Sequence, residues 1–368
     1  MNELEPVNYG PWLICGKKRV LNLSGGDILG LWYEEDFKSF ISESIEKSCL
    51  FSKTPYQEFG TVFLSIPKDF LDLKKQEAGI LGKTIENLLI SLLEVKLPGS
   101  PLILVDEQLD PGLKAIISFN TKFTQFSHNS LSKLEELLTS KEIRNPIIVT
   151  QTFFPFSSEF CPLAEIVELC KRHEGILVVL ESWAEVLPDM EGRSFSSILS
   201  SPGSCKVVIL GDFSYFLPFS VSYLLSNNQL IEQLKEESSV LKNSLQPSIF
   251  QVRLIEWFAQ KLKSDGKELK RKLNDNANYL RYELFSKGFR TLGEFSPFIP
   301  ILVGGKDTAK EFKGLLLEES VLVNEISYPL VPVEKARILL IPSVLHTKDD
   351  LDFALQKFVE VGKYLNLI

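Results

Sequence analysis

The sequence predicts an α/β protein with a mixed, mostly parallel sheet covered by helices on both faces, followed by a smaller α+β unit at the carboxyl end. Two observations carry this prediction. Short β-branched runs alternate with amphipathic helical stretches, and the pattern changes character after about residue 246. The strand-like runs are PLILVDE from Pro101, NPIIVT from Asn145, GILVVLE from Gly175 and KVVIL from Lys206.

Helical spacing of apolar residues separates these runs. Residues 130–140 and 162–173 place apolar side chains three and four positions apart, which predicts helices that pack on the sheet. A long helical pattern begins near Gln246 and predicts one bent helix or two, and the shorter runs beyond it predict the small unit. We therefore divide the chain into an amino-terminal segment (1–45), a large domain (46–255) and a small domain (256–368).

Composition and charge exclude several classes of protein. The chain has 40 lysines and arginines against 48 aspartates and glutamates, a net charge of -8, which argues against nucleic-acid binding. Its longest apolar runs are strand-length, short of the roughly 20 residues that span a bilayer, and its start lacks the basic region of a signal peptide. Five cysteines without a C-x-x-C pair predict a cytoplasmic protein with no metal site.

Some features invite a functional interpretation that their surroundings weaken. GILGKT at 79–84 lacks the glycine spacing and the preceding strand of a phosphate-binding loop, and LSGGDILG from Leu23 lacks the order of a dinucleotide-binding turn, so we interpret it as a plain turn. The acidic pair Asp106 and Glu107 is interpreted as a strand end, with a metal or acid–base site as the alternative. We interpret the histidines as structural or surface residues: His128, His173 and His346.

Several longer segments carry a family resemblance. They are LNLSGGDILGL (21–31), SPLILVDEQLD followed by FSHNSLSKLEELL, PLAEIVELCKRHEGILVVLESW, and the run from PFIPILVGG to the carboxyl end. In this order they resemble the α-oxoamine synthase family, which includes 8-amino-7-oxononanoate synthase, 2-amino-3-ketobutyrate CoA ligase and serine palmitoyltransferase. The resemblance implies a fold type I, aspartate aminotransferase-like large domain. It also implies an acyltransferase that condenses an amino acid with an acyl thioester, using pyridoxal phosphate as electron sink.

The resemblance also implies where the family's cofactor-binding groups lie, and this sequence departs from them. The lysine that forms the internal aldimine is matched by Tyr215 in GDFSY, where Ser214 still precedes it. On the strand that the family ends in DEAH, the aspartate that pairs with the pyridine nitrogen is matched by Leu180, and the histidine by Trp183. An apolar neighbour at the first of these positions penalises a charged pyridinium.

Three further positions of the family pattern differ. The threonine that donates to the cofactor phosphate is matched by Asp212, which we expect to repel that phosphate, and the histidine that stacks on the ring is matched by Asp110. The arginine that clamps the substrate carboxylate is matched by Leu339, whereas Arg337 of the same R-x-R pair is kept. We therefore expect no intact catalytic residue and no cofactor, with pyridoxal phosphate ancestral and not covalently bound.

Three functions are compatible with this pattern. The first is a catalytically degenerate subunit or regulator, either as a homodimer or as a heterodimer with a lysine-bearing paralogue. The second is a homodimer that binds a small ligand resembling an acyl thioester in an apolar pocket. The alternative is an active acyltransferase of the 8-amino-7-oxononanoate synthase type. In each case we expect a dimer with no nucleic-acid partner and no membrane span.

Overall fold

The computed structural model describes residues 10–15, 18–46, 65–95, 102–139, 145–189, 194–200, 205–244 and 246–368. The first nine residues, on which the signal-peptide prediction rests, and Cys49 lie outside these ranges.

Strands and helices alternate along the chain. The strands are β1 (Trp12–Cys15), β2 (Lys18–Asn22), β3 (Ala78–Gly82), β4 (Ile103–Asp106), β5 (Thr124–Phe126), β6 (Ile147–Gln151), β7 (Phe153–Phe154), β8 (Glu159–Phe160), β9 (Ile176–Leu180), β10 (Lys206–Asp212), β11 (Ser222–Ser226), β12 (Ile299–Gly304), β13 (Val321–Leu322), β14 (Asn324–Ile326) and β15 (Ala336–Leu340). The helices are α1 (Glu35–Glu46), α2 (Lys68–Lys74), α3 (Ile85–Glu94), α4 (Pro111–Asn120), α5 (Leu131–Thr139), α6 (Leu163–Arg172), α7 (Phe195–Leu199), α8 (Asn228–Glu237), α9 (Ser239–Asn243), α10 (Ile249–Ser286), α11 (Lys306–Glu318) and α12 (Lys348–Tyr364).

Within the described residues, seven strands form the central sheet in the order β3-β11-β10-β9-β6-β4-β5. The pairs from β10 to β5 are parallel, and β11 is antiparallel to both of its neighbours, so the sheet is mixed and mostly parallel as predicted. The four predicted strand-like runs form β4, β6, β9 and β10. Their continuous apolar composition follows from burial on both faces of the sheet, as in Val178 and Val208.

The carboxyl-terminal unit is an α+β structure, as predicted. Antiparallel strands form a sheet of order β12-β15-β14, and α11 and α12 pack together beside it. The rings of Phe289, Phe312 and Phe358 meet at centroid distances of 5.4 to 6.1 Å and fill the space between these helices. A further sheet of order β1-β2-β13 joins the amino-terminal strands to this unit.

The long helical pattern forms one helix, α10, of 38 residues. It begins at a capping box between Ser248 and Gln251, which satisfies free backbone N–H groups of the first turn. Its first half packs into the core of the large unit, and its second half, from Ala277, packs into the core of the small one. The domain boundary near residue 255 stays a prediction, since this continuous helix passes through it.

A strand occurs where the sequence analysis expected none. GILG of the GILGKT segment lies in β3, which pairs with β11, so the expectation that no strand occurs there is wrong. A Cβ on Gly79 would lie 2.6 Å from Leu225 Cδ2 and 2.8 Å from the Leu224 carbonyl oxygen, so the close packing of β3 against β11 requires glycine here. Thr84 then caps α3 by accepting a hydrogen bond from Asn87 N. None of the described helices has an apolar stretch long enough to cross a membrane.

Candidate active site

A cavity of about 1040 Å³ opens where the carboxyl ends of β4, β6, β9 and β10 meet. The residues that follow these strands line one wall: 107–111 after β4, 152–157 after β6, 182 and 183 after β9, and 214 and 215 after β10. Ligands of open α/β sheets bind at this edge because the connections there diverge and leave a crevice. The order of the parallel strands therefore determines which residues lie together in this wall.

The small unit supplies the opposite wall. Arg337, Leu339 and Ile341 line the cavity, and they are alternate residues along β15 and its continuation. Alternate side chains of a strand project from the same face. The loop between β14 and β15, at 328–332, closes one side. The cavity therefore lies between the large sheet and the small one.

The positions predicted from the resemblance form an aromatic and apolar wall. The rings of Trp183 and Tyr215 lie against each other, with centroids 3.9 Å apart, and Phe298 meets Trp183 edge-on at 4.7 Å. Leu180, at the end of β9, lines the cavity as well, and so does Ser214. These side chains can exclude water and hold an apolar group, but none of them carries a positive charge.

Asp212 is the predicted site residue that the cavity wall does not include. Its carboxylate accepts hydrogen bonds from Ser222 Oγ and from Ser214 N, the latter at 2.6 Å. The turn after β10 and the neighbouring strand β11 thus hold this carboxylate. The expectation that Asp212 repels a cofactor phosphate stays a prediction. Burial, with Asp212 and Asp110 nearby, raises the pKa of Tyr215 to about 12, so the phenol keeps its proton at neutral pH.

Asp110 lines the cavity and caps a helix. Its Oδ1 accepts a hydrogen bond of 3.0 Å from Leu113 N at the first turn of α4, where Pro111 occupies the first position. Aspartate at this position satisfies a free N–H of the helix, and its negative charge interacts favourably with the positive end of the helix dipole. Asp110 therefore has a local structural role at the rim.

The position of the expected carboxylate clamp is apolar, and a cation lies two residues before it. Leu339 is buried in the cavity wall, whereas Arg337 donates from Nη1 to Phe156 O at 2.6 Å and from Nε to Lys335 O at 3.1 Å. Burial lowers the pKa of Arg337, and Glu159 opposes that effect. Sequence reasoning passed over Arg337 as a binding residue. The period-two pattern of EKARILLI, which puts residues 335, 337, 339 and 341 on one face, is the signal that could have found it.

A histidine bridges two carboxylates behind the rim. His128 Nδ1 lies 3.0 Å from Asp106 Oδ1, and its Nε2 lies 3.2 Å from Glu159 Oε2, which lines the cavity. Burial lowers the pKa of His128, but the hydrogen bonds to both carboxylates outweigh it and raise the pKa to about 9. Asp106 also accepts from the backbone N–H of Gln108 and Asn129. The histidine is thus an imidazolium at neutral pH and fixes Glu159.

The LSGGDILG segment forms a turn, and that turn borders the cavity. Gly25 and Gly26 have φ angles of 101° and 102°, which residues with a Cβ rarely adopt. Ser24 and Ile28 line the cavity beside them. Sequence reasoning identified the turn but not its place in the site.

Comparison with known proteins assigns the class. The model of the aminotransferase class I and II family matches residues 111–358, well over half of the chain. This chain therefore belongs to the class I and II aminotransferases, the fold type I class of pyridoxal-phosphate enzymes. Within that class it resembles the α-oxoamine synthases, because the relatives that it matches along its length are 8-amino-7-oxononanoate synthases.

The relatives are similar over almost the whole length. The chain is 29% identical to the 8-amino-7-oxononanoate synthases of Thermosipho melanesiensis and Thermoanaerobacter pseudethanolicus, and each alignment covers 98% of this chain and 92% of the relative. A serine palmitoyltransferase from S. paucimobilis, solved with a bound PLP–myriocin aldimine, has a TM-score of 0.86 at 19% identity, covering 100% of this chain and 93% of the other. An 8-amino-7-oxononanoate synthase from Francisella tularensis has a TM-score of 0.74 at 16% identity, covering 94% and 98%. The likeness to these solved structures shows the fold.

These comparisons overturn two expectations. A catalytically degenerate subunit, regulator or ligand-binding homodimer is wrong as the leading function, because curated relatives along 98% of the chain are synthases. The expectation of no cofactor is also wrong, because solved neighbours of the same fold hold pyridoxal phosphate. Both expectations rested on replacements at several positions of the family pattern, taken together. Similarity along the whole chain is the broader observation, because it includes residues of every helix and strand and not only those of the site.

The residues at the end of β10 nevertheless do not fit a covalently attached cofactor. Tyr215 has no amine with which to form an aldimine, and Leu180 offers no carboxylate to a pyridinium nitrogen. The described lining residues include two lysines. Lys114 lies in the first turn of α4, and Lys335 lies directly before β15. No step through a lysine at residue 215 can therefore be derived for this chain.

Proposed function

We propose that this chain is an acyltransferase of the 8-amino-7-oxononanoate synthase type. Such a reaction joins the α-carbon of an amino acid to the acyl carbon of a thioester and releases carbon dioxide and a free thiol. The observation that carries the proposal is the similarity to these synthases over 98% of the chain and 92% of the relatives. The cavity of about 1040 Å³ is consistent with it, since it lies at the upper end of the range of about 300 to 1,000 Å³ typical of small-molecule and cofactor sites.

The described side chains suit the two substrates. Arg337 offers a positive charge to a carboxylate, and the rings of Trp183 and Tyr215 offer an apolar surface to an acyl chain. The Tyr215 phenol is protonated at neutral pH, so it can donate a hydrogen bond to a developing negative charge. Under this proposal the chemistry proceeds without a lysine at residue 215.

An assay of thiol release tests the proposal. Purified protein with pyridoxal phosphate is mixed with glycine, alanine or serine and with several acyl-CoA donors. We expect thiol release that depends on both substrates. Absence of release in every pairing contradicts the proposal.

Two variants control this assay. Phe119→Ser changes a side chain that is 89% exposed at the end of α4 and does not line the cavity, so the rate should stay that of wild type. Leu339→Asp puts a carboxylate on the buried cavity face of β15 beside the proposed site of the substrate carboxylate. We expect its rate to fall by at least about tenfold, since like charges repel at short range.

We also propose that the protein is a homodimer. Large apolar side chains are exposed on the single chain, among them Tyr282, Phe285 and Phe295 at 67% each, and association would cover such surfaces. Light scattering at micromolar concentration should report twice the mass of the 41.7 kDa chain. A monomer under those conditions contradicts this part of the proposal.

The cytoplasm is the compartment we propose for this protein. Cys161, Cys170 and Cys205 are buried free thiols, which a reducing compartment preserves. Cell fractionation with an antibody to the protein tests this. Recovery with a secreted or membrane fraction contradicts it.

A further inference from the structure

Two buried thiols lie against each other in the core of the large unit. Cys170, in the last turn of α6, is fully buried, and Cys205, directly before β10, is 2% exposed. The Cys205 thiol donates a hydrogen bond to Cys170 Sγ, with the two sulfur atoms 2.7 Å apart. These residues are 35 positions apart in the sequence, so the tertiary structure brings them together.

The pair lies at the edge of the central sheet opposite the cavity. Strands β9 and β10 run parallel, with Lys206 beside Ile176, so both strands begin at this edge. The cavity lies at their carboxyl ends and is not lined by either cysteine. Lys206, which follows Cys205, is exposed, and so is Glu174 in the turn between α6 and β9. A bond between the thiols would therefore tie α6 to β10 without taking a residue from the cavity wall.

The packing around Cys170 holds its side chain toward Cys205. The Cys170 carbonyl accepts a hydrogen bond of 3.0 Å from Gly175 N. A Cβ on Gly175 would lie 3.1 Å from Cys170 Sγ and 2.8 Å from Pro146 O, so a larger residue there would crowd the sulfur. Two cysteines form a disulfide without backbone movement only if their side chains already point at each other. The contact between Cys170 and Cys205 meets this condition.

Cys161 is a buried thiol with different surroundings. It is fully buried as well, but its sulfur contacts Thr150 Oγ1 at 3.6 Å, and the described residues place no second sulfur within hydrogen-bond distance of it. Burial raises the pKa of Cys161 to about 12, which makes it unreactive. Of these three buried thiols, only Cys170 and Cys205 have a partner for a disulfide.

We propose that Cys170 and Cys205 form an oxidation site, a dithiol that hydrogen peroxide converts to an intramolecular disulfide. The reduced pair belongs to a reducing compartment, and the disulfide forms when peroxide is present. The bond would close a loop between two residues 35 positions apart and thereby restrict the unfolded chain. The expected consequence is a more stable protein, and it does not depend on the acyltransferase reaction.

The oxidation needs no reactant besides hydrogen peroxide. The thiolate of one cysteine attacks a peroxide oxygen, the O–O bond breaks, and hydroxide leaves a sulfenic acid on that sulfur. The second sulfur then attacks the sulfenic sulfur, the S–S bond forms, and the hydroxyl group leaves as water. Two electrons pass from the sulfurs to the peroxide, and the two thiol protons end in two water molecules.

The reaction is expected to be slow in the folded protein. The hydrogen bond with Cys205, together with burial, raises the pKa of Cys170, so the thiolate of this residue is scarce at neutral pH. Peroxide reaches the pair when the sheet edge opens locally. Oxidation is therefore followed over hours and not over seconds.

Peptide mapping after oxidation tests the proposal. Cys15 and Cys49 are changed to serine in every protein, so the remaining thiols are those of Cys161, Cys170 and Cys205. The folded protein is incubated with hydrogen peroxide, quenched in acid, alkylated in denaturant and digested without a reductant. We expect a peptide in which Cys170 is linked to Cys205, which dithiothreitol separates, and an alkylated Cys161.

Three kinds of result overturn the proposal. The first is alkylation of all three thiols after prolonged oxidation. The second is a mixture of disulfides that includes Cys161, since the native contact then does not select the pair. The third is sulfinic acid on Cys170 or Cys205 without any linked peptide.

Thermal unfolding measures the consequence of the bond. The linked protein should unfold at a temperature at least about 3 °C higher than the same protein reduced with dithiothreitol. Cys205→Ala should abolish this difference, and Cys161→Ala, the matched control at the other buried thiol, should retain it. If Cys205→Ala does not fold, the mapping and the comparison of linked and reduced protein still decide the question. An equal or lower unfolding temperature of the linked protein overturns the stabilising effect.

Discussion

Two buried cations in this chain have opposite surroundings. Lys74, at the end of α2, is 2% exposed and pairs with Glu181 Oε2 at 2.8 Å and also with Glu185. Arg337 is 8% exposed, and the described residues that accept its hydrogen bonds do so through the backbone carbonyls of Phe156 and Lys335. Burial opposes the charge of Lys74, but Glu181 and Glu185 outweigh it and raise its pKa well above the usual value. Burial instead lowers the pKa of Arg337.

The difference separates a structural charge from a binding charge. The cluster of Lys74, Glu181 and Glu185 lies among buried rings, with Tyr223 donating to Glu181 O at 3.1 Å. It is closed to ligands, and burial raises the pKa of Glu181, so one of its carboxyl groups can hold a proton. Arg337 borders an open cavity. Loss of Lys74 should therefore cost stability, and loss of Arg337 should cost affinity.

Lys74→Met should have the largest effect on stability. It leaves two buried carboxyl groups without their cation, and removal of one partner from a buried ion pair costs about 3 to 5 kcal/mol. Denaturant unfolding measures the change. The neighbouring Lys75→Met, at an exposed position, is the control and should change stability by less than about 0.5 kcal/mol. A stable Lys74→Met protein would show that the cluster is not a structural ion pair.

A smaller effect is expected from raising the pH through the titration of His128. Its folded pKa is raised from 6.5 to about 9, so its contribution to stability is complete below about pH 6.5 and is lost as the pH rises through 9. We expect the stability difference between wild type and His128→Asn to shrink by about 1 to 3 kcal/mol between pH 6 and pH 9.5.

The same titration bears on Arg337. Above pH 9 the neutral His128 no longer holds Glu159, which is then free to compete with a ligand for the guanidinium. The affinity for a carboxylate such as 3-phenylpropionate, measured by calorimetric titration, should therefore fall in wild type as the pH rises, and His128→Asn should show the weaker affinity already at pH 6. Identical affinities at both pH values would show that Glu159 does not compete with the ligand for Arg337.

Arg337→Met should change stability by only about 1 kcal/mol. Two backbone carbonyls lose a donor, but a desolvated cation is removed at the same time, and these effects partly cancel. Denaturant unfolding of Arg337→Met and Lys74→Met under the same conditions compares their free energies of unfolding. A loss as large as that of Lys74→Met would assign Arg337 a structural role instead.

Tyr215→Lys should have the smallest effect on stability, below about 1 kcal/mol, because residue 215 is 40% exposed. The new amine would face the cavity at a partly exposed position near Asp212 and Asp110, whereas Lys74 is buried in its ion pairs. With pyridoxal phosphate and borohydride, we expect a stable adduct on residue 215 of the variant and none on Tyr215 of wild type or on Lys74 of either protein. Peptide mapping by mass spectrometry checks this, and an adduct on Lys74 would contradict the closed character of its cluster.

The sequence alone determined much of the fold. Strands β4, β6, β9 and β10 are buried on both faces, so their composition is continuously apolar and β-branched and stands out locally. The small α+β unit was predicted from the change of pattern after about residue 246. The positions of Leu180, Trp183, Tyr215 and Leu339 in one site also followed from sequence, through the family resemblance.

Only the tertiary structure decided the direction and pairing of individual side chains. The strand β3 reads locally as a glycine-containing loop, and its pairing with β11, more than 140 residues later, makes it a strand. Asp212 turns to Ser222 rather than into the cavity, and Arg337 is fixed by the carbonyl of Phe156, 181 residues away in the sequence. Such contacts depend on which chain segments meet in space, and a local pattern of residue types carries no information about that distance.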